Sequence, residues 1–195
     1  MRDIRLCYVG DSFVNGTGDP SKLGWTGRIS ALSQMNNLDI THYNLGVRRE
    51  TSEDILKRWE SECRSRLPKG SQNKIIFSFG VNDTVIENGQ RRVSLEDSIK
   101  NAKEILSSAS KTFDVIMIGL PPIDDDEHNQ RIKELDRKYQ ELCKALDVPY
   151  LSIFDTLYHD EVWREEVSHN DGAHPRDKGY TLLSNIIKNW DHWVI

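Results

Sequence analysis

Short apolar or β-branched runs recur along the chain, and each is followed by a longer stretch whose apolar positions return every three or four residues. That alternation predicts a parallel sheet covered by helices, since short apolar runs suit strands and 3.6-residue spacing suits helices. The predicted strands cover residues 4–10, 38–46, 74–80, 113–120 and 149–154. Residues 51–67 put Ile55, Leu56, Trp59 and Cys63 on one helical face, opened by Thr51 and Asp54 at capping-box spacing. Residues 94–109 repeat the design, with Ser94 and Asp97 as the cap and Leu95, Ile99, Ala102, Ile105 and Leu106 as the stripe. A third stripe runs through Ile132, Leu135, Tyr139, Leu142, Cys143 and Leu146; a last one follows Pro175 through Tyr180, Leu183, Ile186, Ile187 and Trp190. Residues 25–34 carry a weaker helical pattern. No repeat, low-complexity tract or linker divides the chain, so residues 1–195 read as one doubly wound α/β domain. In such sheets ligands bind beyond the carboxyl ends of the strands.

Composition removes several function classes. The apolar share is 37%, with 12 glycines besides, in a chain of 195 residues. A chain of that length buries roughly 70% of the surface its unfolded form exposes, so a core forms without metal or disulfide staples. The formal charge of -5 gives no electrostatic reason to bind nucleic acid or anionic lipid. No apolar run approaches the ~18 residues of a membrane helix. The start, Met1-Arg2-Asp3-Ile4-Arg5, passes into a strand pattern without a signal-peptide core, so a cytoplasmic location is the expectation. Cys7, Cys63 and Cys143 are odd in number and widely spaced, which predicts reduced, buried thiols rather than a zinc site.

The unusual residues follow the strands. The first strand leads into Gly10-Asp11-Ser12 and a glycine-rich segment, the second ends in Asn44-Leu45-Gly46, and the third runs into Gly80-Val81-Asn82-Asp83. Asp171-Gly172-Ala173-His174-Pro175 precedes the last helix. Acyl transfer needs a hydroxyl nucleophile, a base, an acid that fixes the base's tautomer, and donors aimed at the developing oxyanion. Ser12 supplies the hydroxyl, His174 the base and Asp171, three residues earlier, the carboxylate. The Ser12 and Gly46 amides and the Asn82 side chain supply the donors.

These blocks resemble the SGNH hydrolases, the GDSL-type lipase and esterase family, and they occur in the family's order between Gly10 and Pro175. The resemblance implies a flavodoxin-like three-layer α/β/α fold with a parallel sheet of about five strands. It implies a serine hydrolase that cleaves carboxylic esters through an acyl-enzyme, with small-molecule ester substrates and no cofactor or metal. By the same matching the triad is Ser12, His174 and Asp171, and the oxyanion hole is Ser12, Gly46 and Asn82. Phe13 departs from the leucine of the name-giving motif at a position expected to be structural.

Each piece has an ordinary reading when taken alone: Ser12 or Asp11 as a helix cap, Asn82-Asp83 and Asp171-Gly172 as turns, Gly46 as a strand exit. Their joint occurrence is what favours chemistry. A flavodoxin-like mononucleotide-binding module would share the fold, but neither a P-loop pattern nor GxGxxG follows the first strand. The run Asp124-Asp125-Asp126-Glu127-His128 lacks calcium-loop spacing and is expected to be a solvated acidic loop. Trp25 suits either an acyl-binding wall or the core, and Arg48 and Arg49 are expected on the surface. Residues 84–93 and 121–129 are polar and charged rather than an apolar groove. That favours short acyl chains over the long ones of a thioesterase or lysophospholipase, with sugar acetates among the open choices.

Overall fold

The computed structural model describes residues 2–32 and 38–193. In chain order its elements are β1 (Arg2–Gly10), α1 (Ser12–Asn15), α2 (Gly24–Leu32), β2 (Leu38–Gly46), α3 (Ser52–Arg66) and β3 (Gln72–Ser78). A hairpin of β4 (Ile86–Glu87) and β5 (Gln90–Arg91) follows, then α4 (Leu95–Ala109), β6 (Asp114–Ile118) and α5 (Asp126–Ala145). The chain continues through β7 (Tyr150–Leu151), α6 (Phe154–Tyr158), α7 (Glu161–Ser168) and α8 (Asp177–Lys188). The main sheet has five parallel strands in the order β2-β1-β3-β6-β7, with Gly10 opposite both Gly46 and Ser78.

Helices α2 and α8 pack together on one side of the sheet, while α3, α4 and α5 pack in sequence on the other. Covering both faces explains why β1 and β3 are continuously apolar toward their ends, with Leu6 to Val9 and Ile75 to Phe77 all buried. The sheet order reverses direction between β1 and β3. At such a switch point the loops leaving the two strands diverge to opposite faces and open a crevice. Ser12 leaves β1 there and Asn82 leaves β3.

Several expected elements form as the sequence indicates. The Thr51 N–H and hydroxyl both donate to Asp54 Oδ2 at 3.0 and 2.8 Å, opening α3. Ser94 Oγ accepts the Asp97 N–H at 3.0 Å, opening α4. Other boundaries need correction. The last strand forms only over Tyr150–Leu151; Ser152 Oγ donates to Asp136 at 2.8 Å, and Phe154 starts α6 with its ring stacked on Tyr158. The expected helix over 25–34 is observed as Gly24–Leu32, and its last expected residues lie outside the described ones. Trp25 is core, meeting Tyr8 edge to face at 5.4 Å between ring centroids. The three cysteines are buried and unpaired with one another in any disulfide. Among the described residues no helix is long and apolar enough to cross a membrane.

Candidate active site

Ser12 is the first residue of α1, immediately beyond β1. Asp11 Oδ1 accepts the Phe13 N–H at 3.0 Å, and Gly16 ends the helix after one turn in the left-handed region, with φ of 82°. The turn is tight because Gly10 has no side chain: a Cβ there would lie 1.9 Å from the Ser78 carbonyl oxygen. Among the described residues the Ser12 N–H has no acceptor, as befits the first turn of a helix.

His174 reaches Ser12 from the loop before α8. Its Nε2 lies 2.8 Å from Ser12 Oγ, and its Nδ1 lies 2.8 Å from Asp171 Oδ2. A carboxylate only accepts, so Nδ1 carries the hydrogen and Nε2 is left to accept the Ser12 O–H. Asp171 is built for that task by its own loop, because Oδ1 accepts the N–H groups of Ala173 at 3.1 Å and His174 at 2.8 Å. Burial alone raises the Asp171 pKa, but the backbone and ring hydrogen bonds from His174 outweigh it and hold the carboxyl below its ordinary value. Phe13 packs its ring 4.8 Å from the imidazole, and Asn170 Nδ2 donates to the His174 carbonyl at 3.0 Å. The Phe13 departure from the family motif therefore fills a contact against His174.

Asn82 lies in a 3-10 turn, Val81–Thr84, just beyond β3. Its Nδ2 donates to the Glu50 carbonyl at 3.0 Å and makes a longer contact of 3.4 Å with Asp11 Oδ2. The turn is fixed from beneath by His128, whose Nε2 lies 2.8 Å from Thr84 Oγ1, and by Arg131 Nε, which donates to the Thr84 carbonyl at 3.0 Å. The acidic residues 124–127 are exposed as expected, but the helix begins at Asp126 and His128 is buried, which corrects the loop expectation for 126–128. Asp125 caps α5 by accepting the His128 N–H at 2.9 Å, Asp126 and Glu127 occupy the first turn, and His128 is buried. Acidic residues in a first helical turn complement the helix dipole.

Gly46 ends β2 beside α1. Its N–H donates to Asn44 Oδ1 at 2.9 Å at an exposed position. The glycine is needed for contact: a Cβ would lie 2.1 Å from the Asn15 N and 2.7 Å from the Val14 carbonyl carbon, both backbone atoms of α1. The turn that follows includes Arg49 at φ of 68°, a left-handed conformation that costs a non-glycine residue about 1–3 kcal/mol. Its carbonyl is held by Arg92 Nη1 at 2.9 Å and its exposed guanidinium by Glu87.

Asp11 is buried beside Ser12. Burial pushes its carboxyl pKa up to about 7, the Phe13 amide opposes this, and Asp83 adds to it. Ser12, His174 and Asp171 thus form one hydrogen-bonded chain, and Asn82 contacts Asp11, the residue before Ser12. Asp11 caps α1, one of the ordinary readings of its position, whereas nothing in the residue pattern pointed to Glu50 or to the contact of His128 with Thr84. The hairpin over 86–91 did have a signal, the Asn88-Gly89 pair with both φ values positive. Among the described residues no group of three or more His, Cys, Asp or Glu side chains is gathered to hold a metal ion.

A family model described as the GDSL-like lipase/acylhydrolase family matches residues 8–182. A lipase/acylhydrolase from Enterococcus faecalis shares 26% identity and a TM-score of 0.74, covering 96% of this chain and 93% of its own. The acetylxylan esterase Axe2 from Geobacillus stearothermophilus has a TM-score of 0.74 at 17% identity, covering 94% of this chain and 92% of its own. The Bacillus subtilis (strain 168) protein YpmR is 22% identical over 94% of this chain and 80% of its own length.

Proposed function

The chain belongs to the GDSL-like lipase/acylhydrolase family, and from that premise we propose that it is a serine esterase cleaving carboxylic esters of short acyl chains. The observation that carries this reading is the unbroken chain from Ser12 Oγ through His174 to Asp171, with both links at 2.8 Å. In the proposed reaction Ser12 Oγ attacks the ester carbonyl carbon while His174 Nε2 takes the hydroxyl proton. The electron pair displaced onto the carbonyl oxygen is met by the Ser12 N–H, by Asn82 Nδ2 and by the Gly46 N–H. Collapse expels the alcohol, which receives the proton from Nε2, and leaves Ser12 acylated. Water then attacks the acyl carbon, His174 again takes the proton, and the carboxylic acid departs as Ser12 is regenerated. Asp171 stays ionised throughout and holds the ring.

Gly46 lets α1 approach β2, and its N–H, held by the Asn44 side chain, is the third proposed oxyanion donor once that side chain gives way. The short-acyl part rests on the walls. The hairpin exposes Glu87, Asn88 and Gln90 beside a single apolar side chain, Ile86, and the start of α5 exposes Asp124 to Glu127, so these segments offer an alkyl tail no continuous apolar groove. The acetyl substrate in the name of the Geobacillus neighbour fits the same size.

A series of p-nitrophenyl esters from acetyl to palmitoyl tests it. An acyl tunnel gains about 0.8 kcal/mol per buried methylene, several-fold in kcat/KM per carbon. Here kcat/KM should be greatest from acetyl to butyryl. A steady climb to dodecanoyl would replace this reading with the thioesterase or lysophospholipase one.

A further inference from the structure

Helix α3 buries Ile55, Trp59 and Cys63 against the sheet, yet the residue before Trp59 is an arginine whose side chain is only 16% exposed. The Arg58 guanidinium runs to the carboxyl edge of the sheet. Its Nη2 donates to the Gly10 carbonyl at 3.1 Å and to the Leu45 carbonyl at 2.9 Å, bridging the exits of β1 and β2. Its Nε donates to Glu50 Oε2 at 2.6 Å, and its Nη1 lies 3.3 Å from Glu62 Oε1. The Glu50 backbone carbonyl in turn accepts Asn82 Nδ2 at 3.0 Å. One planar fork therefore holds the peptide two residues before Ser12 and the residue that holds Asn82.

We propose that Arg58 is a positioning residue that keeps two of the oxyanion donors, the Ser12 N–H and Asn82 Nδ2, convergent on one point. The proposal rests on the esterase reading above. Those donors come from different strands, β1 and β3, and β2 lies on the far side of β1 from β3. The Val47 N–H also donates to the Gly10 carbonyl, at 3.0 Å, so the segment between Gly46 and Glu50 is tied to the nucleophile's strand at the same oxygen. Arg58 closes the loop from that oxygen through Glu50 to Asn82. A lysine has one point charge and no fork, so it cannot make the two carbonyl bonds and the Glu50 pair together in this plane. Displacing a reacting geometry by about 1 Å costs on the order of a hundred-fold. Because the donors act on the oxyanion and not on the ground-state ester, the loss falls on kcat and spares KM.

The test compares wild type with Arg58→Lys, Arg58→Met and Glu50→Gln on p-nitrophenyl acetate. Active sites are counted by exhaustive fluorophosphonate labelling and intact mass, and thermal melts are recorded beside the kinetics. For the Arg58 variants kcat per labelled site should fall roughly ten- to a hundred-fold, with KM within about three-fold and the acid limb of the kcat/KM profile unmoved. Glu50→Gln keeps shape and hydrogen bonding and should lose several-fold in kcat, which preserves the test if the Arg58 variants fail to fold. Unchanged kcat per labelled site, with only the melting temperature lowered, would overturn the proposal, as would a rise in KM at constant kcat. A wild-type protein that neither hydrolyses the ester nor takes the label would instead remove the esterase reading, and this proposal with it.

Discussion

Asp11 Oδ2 lies 3.4 Å from Asn82 Nδ2, which joins the carboxyl beside Ser12 to the side-chain amide proposed for the oxyanion hole. The other Asn82 N–H is on the Glu50 carbonyl at the shorter distance of 3.0 Å. The longer bond is the weaker one, so the hydrogen facing Asp11 is the one more readily given up to an oxyanion.

Asn82→Ala should therefore lose turnover. Removing one oxyanion donor typically costs on the order of a hundred- to a thousand-fold in kcat, with a much smaller change in KM. Steady-state kinetics on p-nitrophenyl acetate check this, and full activity in the variant would take Asn82 out of the mechanism.

Asp11 makes stability depend on pH. Its folded pKa of about 7 lies above the value of about 3.9 for an unfolded aspartate. The folded chain thus binds a proton that the unfolded chain has already released. That contribution to stability is complete below about pH 4 and is lost as pH rises through about 7. Asp11→Asn has no such titration, so its stability relative to wild type should increase between pH 5 and pH 8. Urea unfolding of both proteins at the two pH values reads the difference, and a gap that does not change with pH would contradict the account.

Gly46→Ala tests a packing role. Its Cβ would press on the α1 backbone at Asn15 and Val14, where no flexible side chain can give way. Overpacking of this kind costs typically about 1–3 kcal/mol, or several degrees in melting temperature for a chain of this length. A variant that melts with wild type would show that α1 has room to move.

Much of this architecture is legible in the residue pattern, and the exceptions have physical causes. Leu38–Gly46 forms over its expected span because a strand with one end on the sheet's active rim is bounded by its own glycine. The starts of α3 and α4 are legible because Thr51, Asp54, Ser94 and Asp97 cap through local bonds that spacing alone reveals. The first turns of α5 are not, because Asp126 to Gln130 lack a regular apolar stripe and their helical state is set by the Asp125 cap and by His128 packing against Thr84. The edge strand β7 is short because only Met117 and Ile118 of β6 pair with it. Within the site, Ser12, Asp171 and His174 stand out as residue types that chemistry requires. Arg58 does not, since an arginine next to a buried tryptophan looks like any solvent-facing helix position until the strand exits are in view.

The proposed nucleophile is tested most directly by mapping a fluorophosphonate adduct on the wild-type protein and repeating the assay on Ser12→Ala. A chain in which His174 Nε2 sits 2.8 Å from Ser12 Oγ should give one adduct, on the peptide that carries Ser12. The Ser12→Ala protein should take no label and lose ester hydrolysis while melting near wild type. An adduct on another residue, or hydrolysis undiminished in Ser12→Ala, would contradict the account.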